Sequence, residues 1–396
     1  MNNLRRICIL GSTGSIGQST LAVVDANPTF EVVALSGHRN IDLLLQQCLK
    51  YRPKMAIVSR SEDAKGLADS LKSAGSKVEV MWGADALSTA ASDDSVDMVM
   101  AAIVGAAGLE STLAAARAGK TLLLANKESL VMSGDLLFRE IQASGATLIP
   151  IDSEHNAIFQ CLPQNLSGQG GDGTKYVSKI ALTASGGPFL DKPLTEFGDI
   201  TPAEACKHPT WSMGQKISVD SATMMNKGLE FIEASLLFGL APHQIDVLIH
   251  PQSTVHSLVY YKDGSVLAQL GCADMRIPIA YGMAYPRRIE SGAASLDLIG
   301  MGSLDFFEPD YKRFPCLKLG IDATLQGGTT PTLLNAANEI AVAAFLGGQI
   351  KFIEIAELNE QVLSKIPCEP ASSLAIIRDA DSLARNITKE LILKKN

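Results

Sequence analysis

The first strand of this chain runs directly into a glycine loop and then a helix. Arg6-Ile7-Cys8-Ile9-Leu10 is an apolar strand, Gly11-Ser12-Thr13-Gly14-Ser15-Ile16-Gly17 follows it, and residues 15–26 carry a helical pattern. A strand–loop–helix unit of this kind restricts the fold strongly, because it belongs to sheets whose parallel strands alternate with helices. The next residues repeat the alternation. Strands are predicted at 31–35, 55–58, 96–101 and 120–125, and a helix at 41–50 has Asn40 as its N-cap. Another helix ends at Gly119, a residue suited to the left-handed position after a helix. The strands are nearly continuous apolar runs, as expected of a sheet covered on both faces.

Past Pro150 the pattern changes. Residues 163–175 are rich in Gly, Gln, Asn and Ser and read as an exposed loop. Strands are expected at 178–182, 246–250 and 255–261, with Tyr261-Lys262-Asp263-Gly264-Ser265 turning the last of these into a hairpin with 266–270. From about Arg313 the pattern is helical, and Leu374, Ile377, Ala380, Leu383, Ile387 and Leu391 recur at helical spacing. The expected organisation is α/β: an N-terminal Rossmann-like domain (1–150), a central α+β domain (151–285), a linker (286–312) and a C-terminal α-helical domain (313–396).

Bulk properties narrow the function. A chain of 396 residues exceeds one ordinary core, and 46% hydrophobic with 19% charged residues describes a globular protein. A formal charge of −8 without a Lys/Arg cluster argues against a nucleic-acid partner. The seven cysteines are scattered, odd in number and without a CxxC pair, which suits a reducing compartment. No apolar run reaches the roughly 18 residues of a membrane span, and the start of the chain has no signal or transit pattern. A cytoplasmic setting with no membrane partner is expected.

The glycine loop is spaced GxxGxxG. Its glycines let the backbone approach a pyrophosphate, whose charge is received by the N–H groups of a helix amino terminus. The end of the second strand reads Ser36-Gly37-His38-Arg39-Asn40. It lacks the acid that would hold a ribose 2′-hydroxyl, and Arg39 is available to meet a 2′-phosphate, which favours NADPH. Arg39 as a solvated loop residue is the plainer alternative. Ala125-Asn126-Lys127-Glu128-Ser129 closes another strand, where α/β sheets bind ligands, although Asn126 also suits a helix cap.

Asp152-Ser153-Glu154 ends the apolar run Thr147-Leu148-Ile149-Pro150-Ile151. If the strand continues, Asp152 and Glu154 share a face about 6–7 Å apart. Two such carboxylates repel unless a cation lies between them, and a hard divalent ion fits. Alone, the triplet is better described as a solvated strand end. Thr183-Ala184-Ser185-Gly186-Gly187 suits an anion-binding turn, and His208-Pro209-Thr210-Trp211-Ser212-Met213-Gly214 suits a flap near 205–215 that excludes water. The run Ser218 to Lys227 offers hydroxyls, an amide and an ammonium fit for a phosphate, and Glu230 follows as a third carboxylate.

These segments, together with AAIVGAAGL (101–109), LLANKESLV (123–131), IHPQSTVHS (249–257), DMRIPIA (274–280) and LNAANEIAVAAFL (334–346), resemble the 1-deoxy-D-xylulose 5-phosphate reductoisomerase family over nearly the whole chain. The resemblance implies metal ligation of Mg2+ or Mn2+, with Co2+ as a further option, by Asp152, Glu154 and Glu230. It implies substrate contacts from Lys127, Ser153, Glu154, Ser185, His208, Trp211, Ser221, Asn226, Lys227 and Glu230. The resemblance also implies catalytic roles for Lys127, Asp152, Glu154, His208 and Glu230. Gly11, Thr13, Gly14, Ser15, Ile16, Gly37, Arg39, Asn40, Asn126, Glu128, Gly214 and Met275 would line NADPH. Many members carry Gly-Lys-Asn where this chain has His38-Arg39-Asn40, so the positive charge is kept in a different shape. The implied substrate is a phosphorylated ketose, rearranged and then reduced, in a homodimeric enzyme. A metal-free NADPH dehydrogenase and a non-catalytic NADPH sensor are the competing readings; the first leaves the three carboxylates without a shared job, and the density of polar groups in 183–230 argues against the second.

Overall fold

The structure is a computed structural model and describes residues 4–163, 172–211 and 213–395. Most of the loop expected over 163–175, and Ser212 of the expected flap, lie outside these residues. The chain forms two compact units. The first comprises Met1–Ser129, Leu137–Asn156 and Asp274–Ala294, and the second Leu130–Leu136, Ala157–Ala273 and Ser295–Asn396.

In chain order the first unit begins β1 (Arg5–Leu10), α1 (Ser15–Ala26), β2 (Phe30–Gly37), α2 (Ile41–Tyr51), β3 (Met55–Val58), α3 (Ser61–Ser73), β4 (Glu79–Trp82) and α4 (Ala84–Ser92). It continues through β5 (Met98–Ala101), α5 (Leu109–Arg117), β6 (Thr121–Leu124), α6 (Lys127–Ser144) and β7 (Thr147–Pro150). The strands form one sheet in the order β4-β3-β2-β1-β5-β6-β7. Neighbouring strands are parallel throughout. This is the expected doubly wound sheet, and its order reverses beside β1, where such folds open a crevice for a ligand. β4 was not legible in the sequence. It is a short edge strand with Glu79 and Trp82 exposed, so it lacks the continuous apolar run that marks the central strands.

Two glycines of the loop are required by packing. Gly11 has φ +86°, and a Cβ there would meet the carbonyl oxygen of Ala102 at 2.8 Å. A Cβ on Gly17 would meet the Gly11 carbonyl oxygen and the Ser12 Cα, each at 2.4 Å. The loop is tied to β2: Gly11 N donates to Ser36 Oγ at 2.8 Å and Ser12 N to the Ser36 carbonyl at 2.8 Å. Beneath it, Ser12 Oγ meets Gln47 Oε1 at 2.6 Å, and Gln47 Nε2 returns to the Ser12 carbonyl at 3.0 Å. Asn40 caps α2 by accepting from Leu43 N, as expected.

The second unit holds β8 (Val177–Ala184), α8 (Pro202–Ala205), α9 (Gln215–Ala222), α10 (Met225–Phe238), β9 (Ile245–Ile249), β10 (Val255–Tyr261) and β11 (Val266–Leu270). In the chain, α7 (Ser153–Cys161) follows β7, and α11 (Arg276–Ala284) belongs to the first unit. There Arg5 Nη1 donates to the Met283 carbonyl at 2.7 Å, and Asn27 Nδ2 to that of Glu290 at 2.8 Å. The second sheet has the order β11-β10-β8-β9 and is mixed, with β8 and β9 parallel and the hairpin β10–β11 antiparallel.

The helices α12 (Leu298–Met301), α13 (Pro315–Gln326), α14 (Thr330–Leu346), α15 (Glu354–Lys365) and α16 (Leu374–Leu393) complete the chain. Their core includes an aromatic cluster in which Phe352 lies edge-on to Phe189 at 5.3 Å and to Phe345 at 5.7 Å. The buried stripe of α16 runs through Ile377, Ala384, Thr388, Leu391 and Ile392. Leu383, expected on that stripe, is 47% exposed, because repeated steps of three residues drift around a helix of 3.6 residues per turn and Ala384 takes the inward place. The segment expected as a linker, 286–312, divides between the units. Its later part pairs Phe307 with Ile249 through two backbone bonds of 2.9 Å.

Gly17→Ala should destabilise the protein by about 1–3 kcal/mol or more, because the added methyl overpacks backbone that cannot yield. Urea unfolding of the purified variant measures this, and an unchanged midpoint would contradict the packing of the loop.

Candidate active-site residues in each unit

Asp152 and Glu154 do not share the face of a strand. β7 stops at Pro150, and the chain turns at once into α7, whose first turn holds Ser153 and Glu154. The Asp152 carbonyl accepts from Asn156 N at 2.8 Å, so Asp152 stands at the helix amino terminus, where a carboxylate is favoured by the helix dipole. Successive helical side chains diverge by about 100°. The strand spacing expected between the two carboxylates is therefore replaced by a turn. Asn156 Nδ2 secures this turn by donating to the Pro150 carbonyl at 2.8 Å.

Lys127 begins α6 and is buried, and its Nζ lies 2.7 Å from Asp152 Oδ2. Burial pushes the Asp152 carboxyl up, but the charges of Lys127 and His155 and the hydrogen bonds around it outweigh this and hold it well below the usual carboxylate range. Ser153 Oγ donates to Glu154 Oε2. The first unit thus presents an ammonium, two carboxylates and a hydroxyl at adjoining strand ends. Asn126 works as the N-cap of α6, accepting from Ser129 N at 3.1 Å, and its amide also donates to the Gly105 carbonyl at 3.2 Å. Glu128 is buried in the first turn of the same helix.

The loop residues Gly11, Thr13, Gly14, Ser15 and Ile16 lie together at the amino terminus of α1, with Gly14 as its N-cap. Gly37 ends β2, and Asn40 begins α2. Arg39 is exposed and takes part in no ion pair among the described residues. Met275 is the N-cap of α11. Ser12, Ser36 and Gln47 support the loop and were not singled out from the sequence. For Ser36 the signal was a polar side chain near the end of an otherwise apolar strand.

In the second unit, Ser185 follows β8 in a turn made by Gly186 and Gly187, with φ +82° and +69°. Ser185 Oγ accepts from Gly187 N at 3.1 Å and meets His208 Nε2 at 3.0 Å. The other ring nitrogen, Nδ1, accepts from Trp211 N at 2.9 Å and Thr210 N at 3.2 Å. An Nδ1 that accepts is unprotonated, so the neutral ring carries its proton on Nε2 and donates to Ser185. Burial alone lowers the His208 pKa to about 4, in keeping with this neutral form. Trp211 lies 6.1 Å from the His256 ring. Gly214, exposed, is the N-cap of α9.

Ser221 is at the end of α9, and Asn226 and Lys227 are in the first turn of α10. Between the helices Met224 has φ +61°, a left-handed conformation uncommon for a residue with a side chain and typical of functional turns. Both the Asn226 amide and the Lys227 ammonium donate to Glu230, one turn further along the same helix. Lys227 and Glu230 are almost fully buried, so each satisfies the other away from water. His250, in a segment with no role assigned from the sequence, is a structural tie. Its Nδ1 donates to the Asp305 carbonyl at 2.9 Å, its Nε2 accepts from Val255 N at 3.1 Å, and its ring stacks on Phe306.

Three family models match this chain in order: 1-deoxy-D-xylulose 5-phosphate reductoisomerase over residues 7–134, the C-terminal domain of the same enzyme over 148–238, and the DXP reductoisomerase C-terminal domain over 270–387. The 1-deoxy-D-xylulose 5-phosphate reductoisomerase of Paraburkholderia xenovorans is 56% identical over 98% of this chain and 96% of its own length. The chain belongs to the 1-deoxy-D-xylulose 5-phosphate reductoisomerase family. The family's enzyme from Pseudomonas syringae pv. tomato is 55% identical over 97% of each chain. Among solved structures, a DOX-P reductoisomerase in complex with NADPH, fosmidomycin and magnesium matches with TM-score 0.94 and 48% identity over 98% of each chain. The Zymomonas mobilis enzyme in complex with NADPH matches with TM-score 0.90 and 46% identity over 98% of this chain and 99% of that one.

The His208 arrangement gives a sign-definite pH response. A histidine with a folded pKa below its unfolded value contributes fully above pH ~6.5, and the contribution is lost as the pH falls through about 4. NMR of the His208 ring should titrate near pH 4, with Trp211 fluorescence changing in step. A midpoint above 6 would contradict the neutral, Ser185-bonded ring.

Proposed function

We propose that this chain converts 1-deoxy-D-xylulose 5-phosphate to 2-C-methyl-D-erythritol 4-phosphate, by skeletal rearrangement and then hydride reduction by NADPH, in non-mevalonate isoprenoid precursor biosynthesis. Family membership supports the reaction, and relatives solved with NADPH, fosmidomycin and magnesium support the cofactors. The observation that carries the reading is the head of α10, where Asn226 and Lys227 are held on Glu230 beside a left-handed turn. Those donors are what a phosphate dianion needs.

The donor set fits a hard divalent ion: Asp152 is held ionised, and Glu230 is a buried carboxylate already surrounded by N–H donors. Asp152, Glu154 and Glu230 would hold Mg2+ or Mn2+, with Co2+ as an alternative, and the ion would supply Lewis-acid polarisation of neighbouring substrate oxygens. Lys127 keeps Asp152 anionic and offers an ammonium near the same oxygens. Ser153 hydrogen-bonds the substrate backbone. Ser185, Ser221, Asn226 and Lys227 bind the phosphate, whose binding energy can be used at the reacting carbons. His208 donates to Ser185 from one side, and Trp211 and Met213 cover the substrate and exclude water.

In the first unit Gly11, Thr13, Gly14, Ser15 and Ile16 receive the NADPH pyrophosphate at the amino terminus of α1. Arg39 neutralises the 2′-phosphate, and Gly37, Asn40, Asn126, Glu128, Gly214 and Met275 line the rest of the dinucleotide. The exposed edge strand β11, with Val266 44% and Leu267 48% exposed, supports a homodimer. The seven free thiols support a reducing, cytoplasmic setting. Among the described residues no helix is long and apolar enough to cross a membrane.

NADPH oxidation, followed at 340 nm, should require both 1-deoxy-D-xylulose 5-phosphate and a divalent ion, and turnover after complete chelation would sink the proposal. Lys227→Met should raise the KM for this substrate about 10–100-fold while the KM for NADPH stays within about twofold. Glu230→Gln should raise the Mg2+ concentration for half-maximal activity roughly tenfold or more, and full activity at limiting metal would remove Glu230 from the ligand set.

A further inference from the structure

Asp220 is buried to 1% exposure inside α9, yet none of the roles above uses it. A carboxylate withdrawn from water is costly unless each oxygen is met by a donor. Here both are. Asp220 Oδ2 lies 2.9 Å from Lys216 Nζ, one turn back on the same helix. Oδ1 accepts from Asn338 Nδ2 on α14 at 2.7 Å. Asn338 Oδ1, the other side-chain atom of the same amide, in turn accepts from Asn359 Nδ2 on α15 at 3.2 Å. Asn338 and Asn359 are both 0% exposed, in helices whose inward faces are otherwise largely Leu, Ala, Val and Ile. Two amides at such positions cost stability unless they hold something in place.

What they hold is a helix of only 8 residues. A helix so short gains little from its own hydrogen bonds and takes its position from tertiary anchors. Ser221 is the next residue after Asp220, and its backbone carbonyl oxygen packs so close to Gly187 that a Cβ there would come within 2.8 Å of it. Gly187 N in turn holds Ser185 Oγ. The position of α9 therefore sets the spacing of the Ser185 and Ser221 hydroxyls.

We propose that Asp220 is a positioning residue for substrate phosphate, and that Asn338 and Asn359 hold it by a buried hydrogen-bond relay from the C-terminal helices. The inference rests on reading Ser185 and Ser221 as phosphate contacts. A displacement near 1 Å in such groups is enough to weaken binding by an order of magnitude or more. The relay thus sets substrate affinity from a place that touches neither substrate nor cofactor.

The test uses the full-length enzyme. Asn338→Asp places a second carboxylate against Asp220 and should raise the KM for 1-deoxy-D-xylulose 5-phosphate about tenfold, with the KM for NADPH unchanged. The exchange variant D220N/N338D restores the bond in the opposite sense, since Asn at 220 can donate to Asp at 338, which still accepts from Asn359. It should bring the KM back to within about twofold of the starting protein. Asn359→Leu, a milder change, should raise the KM about threefold, and it decides the matter should Asn338→Asp not fold. Variants with lowered melting temperature but an unchanged KM for the ketose phosphate would overturn the proposal, as would an exchange variant that recovers stability without recovering KM. Ser221→Ala separates the two readings. If it leaves KM unchanged, the phosphate assignment fails and the relay falls with it. If it raises KM while the relay variants do not, only the relay falls.

Discussion

A carboxylate taken out of water must be met by a cation or by N–H donors, and this constraint organises both units of the protein. In the first unit it places Lys127 on Asp152 at the ends of neighbouring parallel strands. In the second it places Lys227 on Glu230 within one turn of α10, and Lys216 with Asn338 on Asp220. The Lys127–Asp152 pair and the Asn338–Asp220 bond join elements that the local sequence alone would leave independent. Each also leaves a charged group poised where hydrophobic packing would have excluded it.

The same constraint bears on why several of the candidate site residues stand at helix starts. The Asp152 carboxylate stands at the amino terminus of α7, the glycine loop at that of α1, and Asn226 and Lys227 at that of α10. These ends offer N–H groups and a favourable dipole without any extra residue. Strand and loop geometry delivers them. Gly11, with its left-handed backbone, lets the loop run close beside Ala102, and Met224 accepts a left-handed turn to bring α9 and α10 into sequence.

Much of the fold was legible. The βα alternation, the hairpin at Asp263-Gly264 and the helical C-terminal region follow from apolar periodicity and turn residues, which are local properties. The misreadings have physical causes. β4 is short and half-exposed, so its apolar signal is weak. The strand geometry assigned to Asp152 and Glu154 fails because a strand end and a helix start look alike over three residues. Leu383 was placed inward by stepping three residues at a time from Leu374, whereas the buried stripe passes through Ala384. Candidate site residues were found through motif resemblance, but the supporting polar residues Ser36, Gln47, Asp220 and Asn359 were not. Their roles come from partners distant in sequence.

The sequence by itself determined the fold class, the glycine loop and its helix, and which residue types could bind phosphate or a hard cation. These depend on backbone conformational freedom, hydrophobic period and side-chain chemistry, all carried by neighbouring residues. Only the tertiary structure decided how the charges are satisfied: that Lys127 holds Asp152 anionic, that His208 is neutral and donates to Ser185, and that Asp220 answers to helices more than a hundred residues away. A buried charge takes its stability from groups brought near it in space, and their distance along the chain says nothing about that.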